Sequence, residues 1–296
     1  MTTAAIGRDA GRLPDFLGVG PPRTATSWLD AVLRGHAAMP RDIKEVDFFV
    51  KNYGRGLEWY KSYFRDTDPS LPAGEICPTY FGPPEVRERV KLHLPNCRII
   101  CTFRDPVESL YSGYRLSLRN VWTRTDIESF AGNGWGNARS GALRAWYEMF
   151  GAEHVLACIY DDLEADPQRY LDPICDFIGI KRIDLSGHEL ASRRVNTFKQ
   201  LPKNPWLARK ARKLRDRLME REAYGVVDLL RRAGVWRFCF ERGEELAPLN
   251  PAVEQRLRDR CKPDIEELER LIGRDLSIWK QPSAERNHHA GIAASA

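Results

Sequence analysis

The chain has 296 residues, of which 43% are hydrophobic and 29% are charged, a composition typical of a soluble globular protein. Its length allows one large α/β domain or two small domains. The net charge of +5 suits anionic ligands, but the excess is too small to indicate a nucleic acid as the partner.

The seven cysteines form no C-x-x-C pair, and several stand in apolar runs such as "RIICTF", where cysteine acts as a small hydrophobic residue. An odd, scattered set of this kind argues against a disulfide framework and against a zinc site. The N-terminal residues lack the apolar core of a signal peptide, and no stretch approaches the roughly 18 apolar residues of a membrane span. We therefore expect a cytoplasmic protein without a membrane span.

Short apolar runs alternate with helical patterns along the first 180 residues. Strands are predicted at 14–20, 73–81, 97–103 and 154–160. Helices are predicted at 27–35, 83–95, 105–117, 140–151 and 166–180. Strands that alternate with helices are typical of a parallel sheet, so an α/β fold is expected.

The last third of the chain has a different character. Residues 201–280 read as a helical cap or extension on an α/β core at 14–200, and residues 281–296 as a disordered tail, all within a single domain 1–296. The part from Leu201 to Glu245 is basic and amphipathic. A solvated basic face on the cap is the favoured interpretation, and a role at a nucleic acid or a membrane surface is the alternative.

The first candidate site is the loop that follows the first predicted strand, "PPRTATSWL". Its backbone N–H groups would converge at a helix N-terminus, which is a ready anion site. Arg23, Thr26 and Ser27 add further donors. The triphosphate pattern G-x-x-x-x-G-K-[ST] is absent, because an arginine stands where the lysine is expected.

The second candidate is the dipeptide Lys44-Glu45. In a loop, one of the two side chains could face the anion and the other an acceptor molecule. The alternative is a surface ion pair, which is commoner for an arbitrary Lys-Glu dipeptide.

The third candidate joins Arg104, at the carboxyl end of a predicted strand, to Ser112 in the helix that follows. Asp105 is a suitable N-cap for that helix, with Pro106 at its first position and Glu108 where a capping box needs it. The arginine can form two hydrogen bonds to a phosphate and the serine a third. The alternative is a capped helix with an exposed serine. Two anion subsites at neighbouring strand ends fit a ligand with two separate phosphates.

Together these motifs resemble those of PAPS-dependent sulfotransferases. "PPRTATSWL" is similar to their 5′-phosphosulfate loop, and "RIICTFRDPVESLYSGYR" to their 3′-phosphate motif. "KEVDFFVKNYGRGLEWYKSYF" resembles the K-E-x-x-F-F stretch of the branch that sulfates glycans, including heparan. The resemblance covers residues 14–180 well and the last third only loosely.

The resemblance implies a three-layer sandwich of the P-loop NTPase-like type, with PAPS as cofactor, PAP as product and no metal. It implies in-line transfer of a sulfuryl group to a hydroxyl of a carbohydrate, glycolipid or secondary metabolite. Arg23 takes the place of the family's loop lysine, Lys44 that of a second cation, and Glu45 that of the general base. The other implied cofactor-binding residues are Thr24, Ala25, Thr26, Ser27, Trp28, Arg104, Ser112, Tyr160, Arg194 and Asn196.

The sequence differs from the family pattern in three places that bear on these residue roles. Arg23 cannot act as a proton donor at ordinary pH. Ala25 and Ser27 change the usual G-T-T core of the loop. Ile76 and Cys77 stand where heparan-type enzymes often carry K-S, which weakens the case for a heparan-like acceptor.

Two other function classes compete with this interpretation. A P-loop small-molecule kinase would need a Gly-Lys pair and a magnesium-binding aspartate at a strand end, and neither appears. A non-enzymatic polyanion-binding module using residues 205–240 would leave Arg104 and Ser112 unexplained. His93 echoes the histidine base of the small-molecule branch, but it lies only eleven residues before Arg104 and is not favoured. The acceptor and the oligomeric state stay open.

Overall fold

The computed structural model describes residues 11–132, 139–192, 200–240 and 242–283. The chain divides into two compact units. Unit 1 comprises Met1–Phe103 and Ala145–Val195, and unit 2 comprises Arg104–Arg144 and Asn196–Ala296. The prediction of one domain with a core and a cap stays a prediction.

Unit 1 is built on a sheet of four parallel strands in the order β2-β1-β3-β4. The strands are β1 (Phe16–Val19), β2 (Gly74–Ile76), β3 (Arg98–Phe103) and β4 (Val155–Ile159). The two inner strands, β1 and β3, are almost continuously apolar and buried, as expected for a parallel sheet covered on both faces. In β1, Gly18 is in register with Ile76 on one side and Ile100 on the other.

Helices flank this sheet. Unit 1 contains α1 (Thr26–Leu33), α2 (Leu57–Lys61), α3 (Pro84–His93), α7 (Tyr160–Ala165), α8 (Pro167–Ile178) and α9 (Glu189–Ser192). One core cluster joins the sheet to α1 and α8, and its buried members include Phe16, Leu29, Ile100, Leu171 and Ile174. The predicted α/β fold with a central parallel sheet is therefore confirmed.

Unit 2 is mainly helical. It contains α4 (Pro106–Arg119), α5 (Ile127–Gly132), α10 (Pro205–Glu220), α11 (Tyr224–Arg232), α12 (Val235–Phe240) and α13 (Pro251–Ile272). Helix α6 (Arg139–Phe150) begins in unit 2 and ends in unit 1. An antiparallel pair, β5 (Gln200–Pro202) with β6 (Arg242–Glu245), was not expected from the sequence, because these segments lack a clear alternating pattern.

The elements begin and end close to the predicted positions, with one clear difference. The strand predicted at 73–81 ends at Ile76, because Pro78 starts a 3₁₀ turn and cannot continue the strand's hydrogen bonds. In the parts of the chain that the structure describes, no helix is both long and apolar enough to cross a membrane.

A buried ion-pair network fixes the start of α4 within unit 2. The Asp105 carboxylate accepts hydrogen bonds from the Val107 and Glu108 N–H groups, at 2.8 and 3.1 Å, which confirms its predicted role as N-cap. Its other oxygen lies 2.9 Å from a guanidinium nitrogen of Arg258, in α13. Arg258 also donates to Glu254 at 2.7 Å, and its side chain is only 1% exposed. One buried arginine therefore bridges two carboxylates and joins α13 to α4.

Replacing this arginine is expected to destabilise the protein strongly. In the variant Arg258→Met, the carboxylates of Asp105 and Glu254 would lose their buried cation, which should lower the free energy of unfolding by about 3–5 kcal/mol. Denaturant unfolding followed by circular dichroism measures this loss. The matched control is Arg256→Met on the same helix, because Arg256 pairs with Glu128 in solvent and should contribute little. Equal losses in both variants would contradict the role of the buried network.

Candidate functional site

The loop between β1 and α1 has the backbone shape of an anion-binding nest. Arg23 and Ala25 adopt left-handed backbone conformations, with φ of 73° and 69°. Left-handed residues placed in this way turn successive N–H groups toward one concave side, where an anion can bind. Gly20 allows the loop to run close to β3, since a Cβ at this position would lie 2.6 Å from the carbonyl oxygen of Thr102.

Thr24 ties the same loop to the sheet. Its hydroxyl lies 2.8 Å from the carbonyl oxygen of Pro21, to which it donates, and 2.6 Å from the hydroxyl of Thr102 in β3. Thr24 and Thr102 are both buried. The Thr24 side chain therefore serves the loop itself, and its backbone N–H is the group it can offer to a ligand.

Lys44 brings Glu45 to the first turn of α1. The Lys44 ammonium lies 2.5 Å from a Glu45 carboxylate oxygen and 3.4 Å from the hydroxyl of Thr26. Both charged side chains are partly exposed, at 22% for Lys44 and 34% for Glu45. The two predicted residues thus form an ion pair, as the alternative expected, but the pair lies against the start of the candidate loop's helix. A cation, a carboxylate and a helix N-terminus therefore meet in one place.

Glu75 is a site residue that the sequence analysis missed. It lies in β2, is fully buried, and one of its oxygens accepts from the N–H groups of Val46 and Asp47 at 2.6 and 3.2 Å. Its other oxygen accepts from the hydroxyls of Tyr60 and Tyr80 at 2.6 and 3.0 Å. Glu75 thereby fixes the backbone immediately after the Lys44-Glu45 pair. The signal in the sequence was a single acidic residue inside an apolar strand.

Burial sets the charge state of this carboxyl. Desolvation raises the pKa of Glu75 to about 7, although its four hydrogen bonds act in the opposite direction. Burial also raises the pKa of the Tyr60 and Tyr80 hydroxyls well above the ordinary value, so both stay protonated donors.

Asp47 provides a second anchor for the same segment. One carboxylate oxygen accepts from the hydroxyl of Thr79 at 2.5 Å and from the thiol of Cys77 at 3.4 Å. The other lies 2.5 Å from the ammonium of Lys51. Asp47 itself has a left-handed backbone, with φ of 54°, so these bonds hold the chain in a sharp turn.

Trp28 and Tyr160 pack against the core cluster of unit 1. Trp28 is 4% exposed, donates from its indole nitrogen to the carbonyl oxygen of Leu190 at 2.9 Å, and meets Tyr170 edge to face. Tyr160 directly follows β4 and is partly buried against the same cluster. The predicted role of both in cofactor binding stays a prediction.

Arg104 and Ser112 lie in unit 2, eight residues apart. The Arg104 guanidinium forms an ion pair with Glu108 at 2.9 Å, and Ser112 is partly buried within α4. Arg139, a second residue that the sequence analysis missed, is 3% exposed and donates to the Arg104 carbonyl oxygen at 2.9 Å and to the Ser109 hydroxyl at 2.6 Å. Arg139 thus holds the backbone of Arg104 in place.

Three further residues considered in the sequence are Arg194, Asn196 and His93. Arg194 and Asn196 lie outside the described residues. The His93 ring nitrogen lies 2.8 Å from the hydroxyl of Tyr53, so it takes part in a local hydrogen bond. Among the described residues, no group of His, Cys, Asp and Glu side chains is arranged to hold a metal ion.

Comparison with known proteins decides the family. The family model described as "Sulfotransferase domain" matches residues 13–216, which is more than half of the chain. The chain belongs to the sulfotransferase family. The resemblance found in the sequence motifs is thereby confirmed.

Individual relatives are more distant. Over 196 residues the chain is 28% identical to heparan sulfate glucosamine 3-O-sulfotransferase 6 of Homo sapiens. The alignment covers 62% of this chain and 57% of that protein. It is 32% identical over 111 residues to the membrane-associated sulfotransferase kil1 of Dictyostelium discoideum, covering 36% of this chain and 24% of that protein. The chain therefore spans about half or less of the length of these curated relatives.

A solved structure shares the fold. The sulfotransferase from Alicyclobacillus acidocaldarius superposes with a TM-score of 0.62 at 19% identity, covering 91% of this chain and 100% of that one. At this identity the likeness supports the fold alone.

The prediction of a cytoplasmic protein is wrong. The relatives are heparan sulfate sulfotransferases and a sulfotransferase named as membrane-associated, which contradicts that assignment. The prediction rested on the lack of an apolar segment, and such a lack does not determine where a protein resides.

Replacing Ala25 by glycine is expected to stabilise the fold. A left-handed conformation costs an L-residue about 1–2 kcal/mol, and part of this is offset by the greater freedom of glycine in the unfolded chain. Ala25→Gly should therefore raise the free energy of unfolding by about 0.5–1 kcal/mol, as measured by denaturant unfolding. Ala31→Gly in the interior of α1 is the matched control and should lower it by a similar amount. Destabilisation by both changes would refute the strain at Ala25.

The buried carboxyl of Glu75 is expected to make stability depend on pH. Because its pKa in the folded protein lies above the ordinary value of 4.5, its contribution to stability is complete below that value and is lost as the pH rises through about 7. Glu75→Gln keeps one acceptor oxygen and is always neutral. The variant should match the wild type near the ordinary carboxyl pKa and exceed its stability by about 3 kcal/mol above neutrality. Unfolding curves across this pH range measure the difference, and a difference that does not change with pH would count against the buried titration.

Proposed function

We propose that this chain transfers a sulfuryl group from PAPS to a hydroxyl of a carbohydrate, leaving PAP. The observation that carries the proposal is the arrangement of the loop after β1. There the left-handed backbone at Arg23 and Ala25 leads into the helix whose Thr26 contacts Lys44, which in turn pairs with Glu45. Membership of the sulfotransferase family supports the same reaction.

The residues present fit the cofactor. The nest formed at Arg23 and Ala25, with the ammonium of Lys44 beside it, offers donors of the kind that a phosphosulfate needs. Arg104 and Ser112, at the spacing of the family's 3′-phosphate motif, are the residues proposed to hold the 3′-phosphate. When bound, PAPS supplies the sulfuryl group and a phosphate leaving group.

Glu45 is proposed as the general base. Its carboxylate would take the proton from the attacking hydroxyl of the acceptor. Positioned carboxylates commonly act as general bases in this way. The Lys44 ammonium orients Glu45 through their 2.5 Å contact and remains near enough to Thr26 to stabilise charge that develops at the loop. The loss of one such preorganised donor typically raises a barrier by about 3–4 kcal/mol.

A glycan is the proposed acceptor class. Relatives named as heparan sulfate glucosamine 3-O-sulfotransferases support it. Ile76 and Cys77, however, stand where heparan-type enzymes often carry K-S, so a carbohydrate other than heparan fits the sequence better. The comparisons give no support to the kinase or to the non-enzymatic alternative.

Ligand binding tests the cofactor. Isothermal titration calorimetry with PAP, AMP and magnesium ATP should show tight binding of PAP only, since PAP alone carries phosphates at both the 3′ and the 5′ positions. Magnesium ATP binding as tightly as PAP would refute the proposal.

A substitution tests the base. Glu45→Gln should keep the affinity for PAP and lower the rate of sulfuryl transfer by about 10²–10⁴-fold, because the amide cannot accept the proton. Transfer of labelled sulfate from PAPS to a mixture of carbohydrates measures the rate. Glu58→Gln, at an exposed position of α2, is the matched control and should transfer like the wild type. Activity of Glu45→Gln near that of the wild type would exclude Glu45 as the base.

A further inference from the structure

The positive charge of the chain is concentrated in one segment. Residues 205–240, named here the basic helical segment, contain ten lysines and arginines and four aspartates and glutamates, whereas the whole chain has 46 and 41. The remainder of the chain is therefore close to neutral and slightly acidic. The proposed transfer reaction gives no role to this segment.

The exposed apolar side chains are concentrated in the same segment. Among the described residues, eight large hydrophobic side chains are exposed, and five of them belong to the basic helical segment: Trp206, Leu214, Val226, Leu229 and Phe238. Trp206 and Leu229 are the most exposed of the five, at 63% and 66%. Two independent properties, charge and apolar exposure, thus coincide.

Helix α10 places both properties on one face. Trp206, Lys210, Leu214 and Arg217 follow one another at helical spacing and are all exposed. The Lys210 ammonium lies 5.5 Å from the centre of the Trp206 ring. On the opposite face, Ala208 and Ala211 are buried against Cys239 and Phe240 of α12. The face with tryptophan, leucine and cations is therefore the one that points away from the segment's own core.

The next two helices continue the pattern. Val226 and Leu229 are three residues apart and lie on the same face of α11. At the end of that helix, Arg231 and Arg232 both form ion pairs with Asp228. Two cations against one carboxylate leave this end of the helix with a net positive charge. Phe238 in α12 is 57% exposed and follows Arg237.

This combination identifies the class of partner. A sulfated polysaccharide or a nucleic acid would use the cations and could stack on an aromatic ring, but it would leave the aliphatic side chains of Leu214, Val226 and Leu229 in water. An anionic bilayer surface uses both, because its headgroups attract lysine and arginine while its interface buries tryptophan, leucine and phenylalanine. We propose that the basic helical segment docks this protein onto the surface of an anionic phospholipid bilayer.

Vesicle binding tests the docking surface. In flotation with the full chain, vesicles of phosphatidylcholine with about 30% phosphatidylserine should carry the protein, because the anionic headgroups attract its cations, and pure phosphatidylcholine vesicles should not. Raising the ionic strength should weaken the binding. Failure to bind the anionic vesicles at low salt would overturn the proposal.

Two sets of variants separate lipid docking from simple polyanion binding. The first is the triple apolar variant, which combines Trp206→Ala, Leu229→Ala and Phe238→Ala. It should weaken vesicle binding at least tenfold and leave binding to soluble heparin unchanged. Lys210→Gln with Lys213→Gln and Arg217→Gln should weaken vesicle binding by about fivefold per residue. These residues are exposed, and unchanged PAP affinity and circular dichroism would show that the variants are folded.

The matched control is Leu92→Ala with Ile278→Ala, at exposed apolar positions outside the segment, which should bind vesicles like the wild type. If the triple apolar variant also binds vesicles like the wild type, the apolar side chains have no part in docking and the proposal is wrong. The proposal is equally wrong if the protein forms a dimer in the presence of vesicles and the triple apolar variant abolishes that dimer. In that case a second copy of the chain covers these side chains.

Discussion

The contact between the hydroxyls of Thr24 and Thr102 holds the candidate loop against the sheet. A hydroxyl has one proton, and Thr24 donates its proton to Pro21, so Thr102 donates to Thr24 across the 2.6 Å contact. Both groups are buried, so neither could lose its partner without the cost of an unpaired polar group. The close approach requires glycine at position 20. The left-handed residues Arg23 and Ala25 flank this fixed point on either side.

Two glutamates near this loop have different surroundings. Glu75 is buried, and its four donors include the backbone of Val46 and Asp47, so it sets the path of the chain. Glu45 is partly exposed and pairs with Lys44, and its role as the general base stays a prediction. The hydrogen bonds of the buried Glu75 carboxyl hold the neighbouring chain in place. Above neutral pH, the burial of its charge lowers the stability of the folded protein.

In unit 2, buried arginines perform the corresponding task for the second candidate subsite. Arg139 holds the carbonyl oxygen of Arg104, and Arg258 holds the carboxylate that caps α4 directly after it. Arg258 belongs to the C-terminal third, where the motifs of the family are only loosely matched. This part of the chain nevertheless supports the motif at Arg104, because α13 packs against α4.

The sequence by itself determined the family and the alternation of strands and helices, since these depend on short-range patterns of apolar residues, caps and turns. The Asp105 cap is an example, as its partners lie two and three residues away. Only the tertiary structure revealed the roles of Glu75, Arg139 and Arg258, because each acts on a backbone or carboxylate distant in the chain, up to 153 residues away for Arg258 and Asp105. A charged residue has the same letter whether it is solvated or buried, and only packing decides which partner it meets.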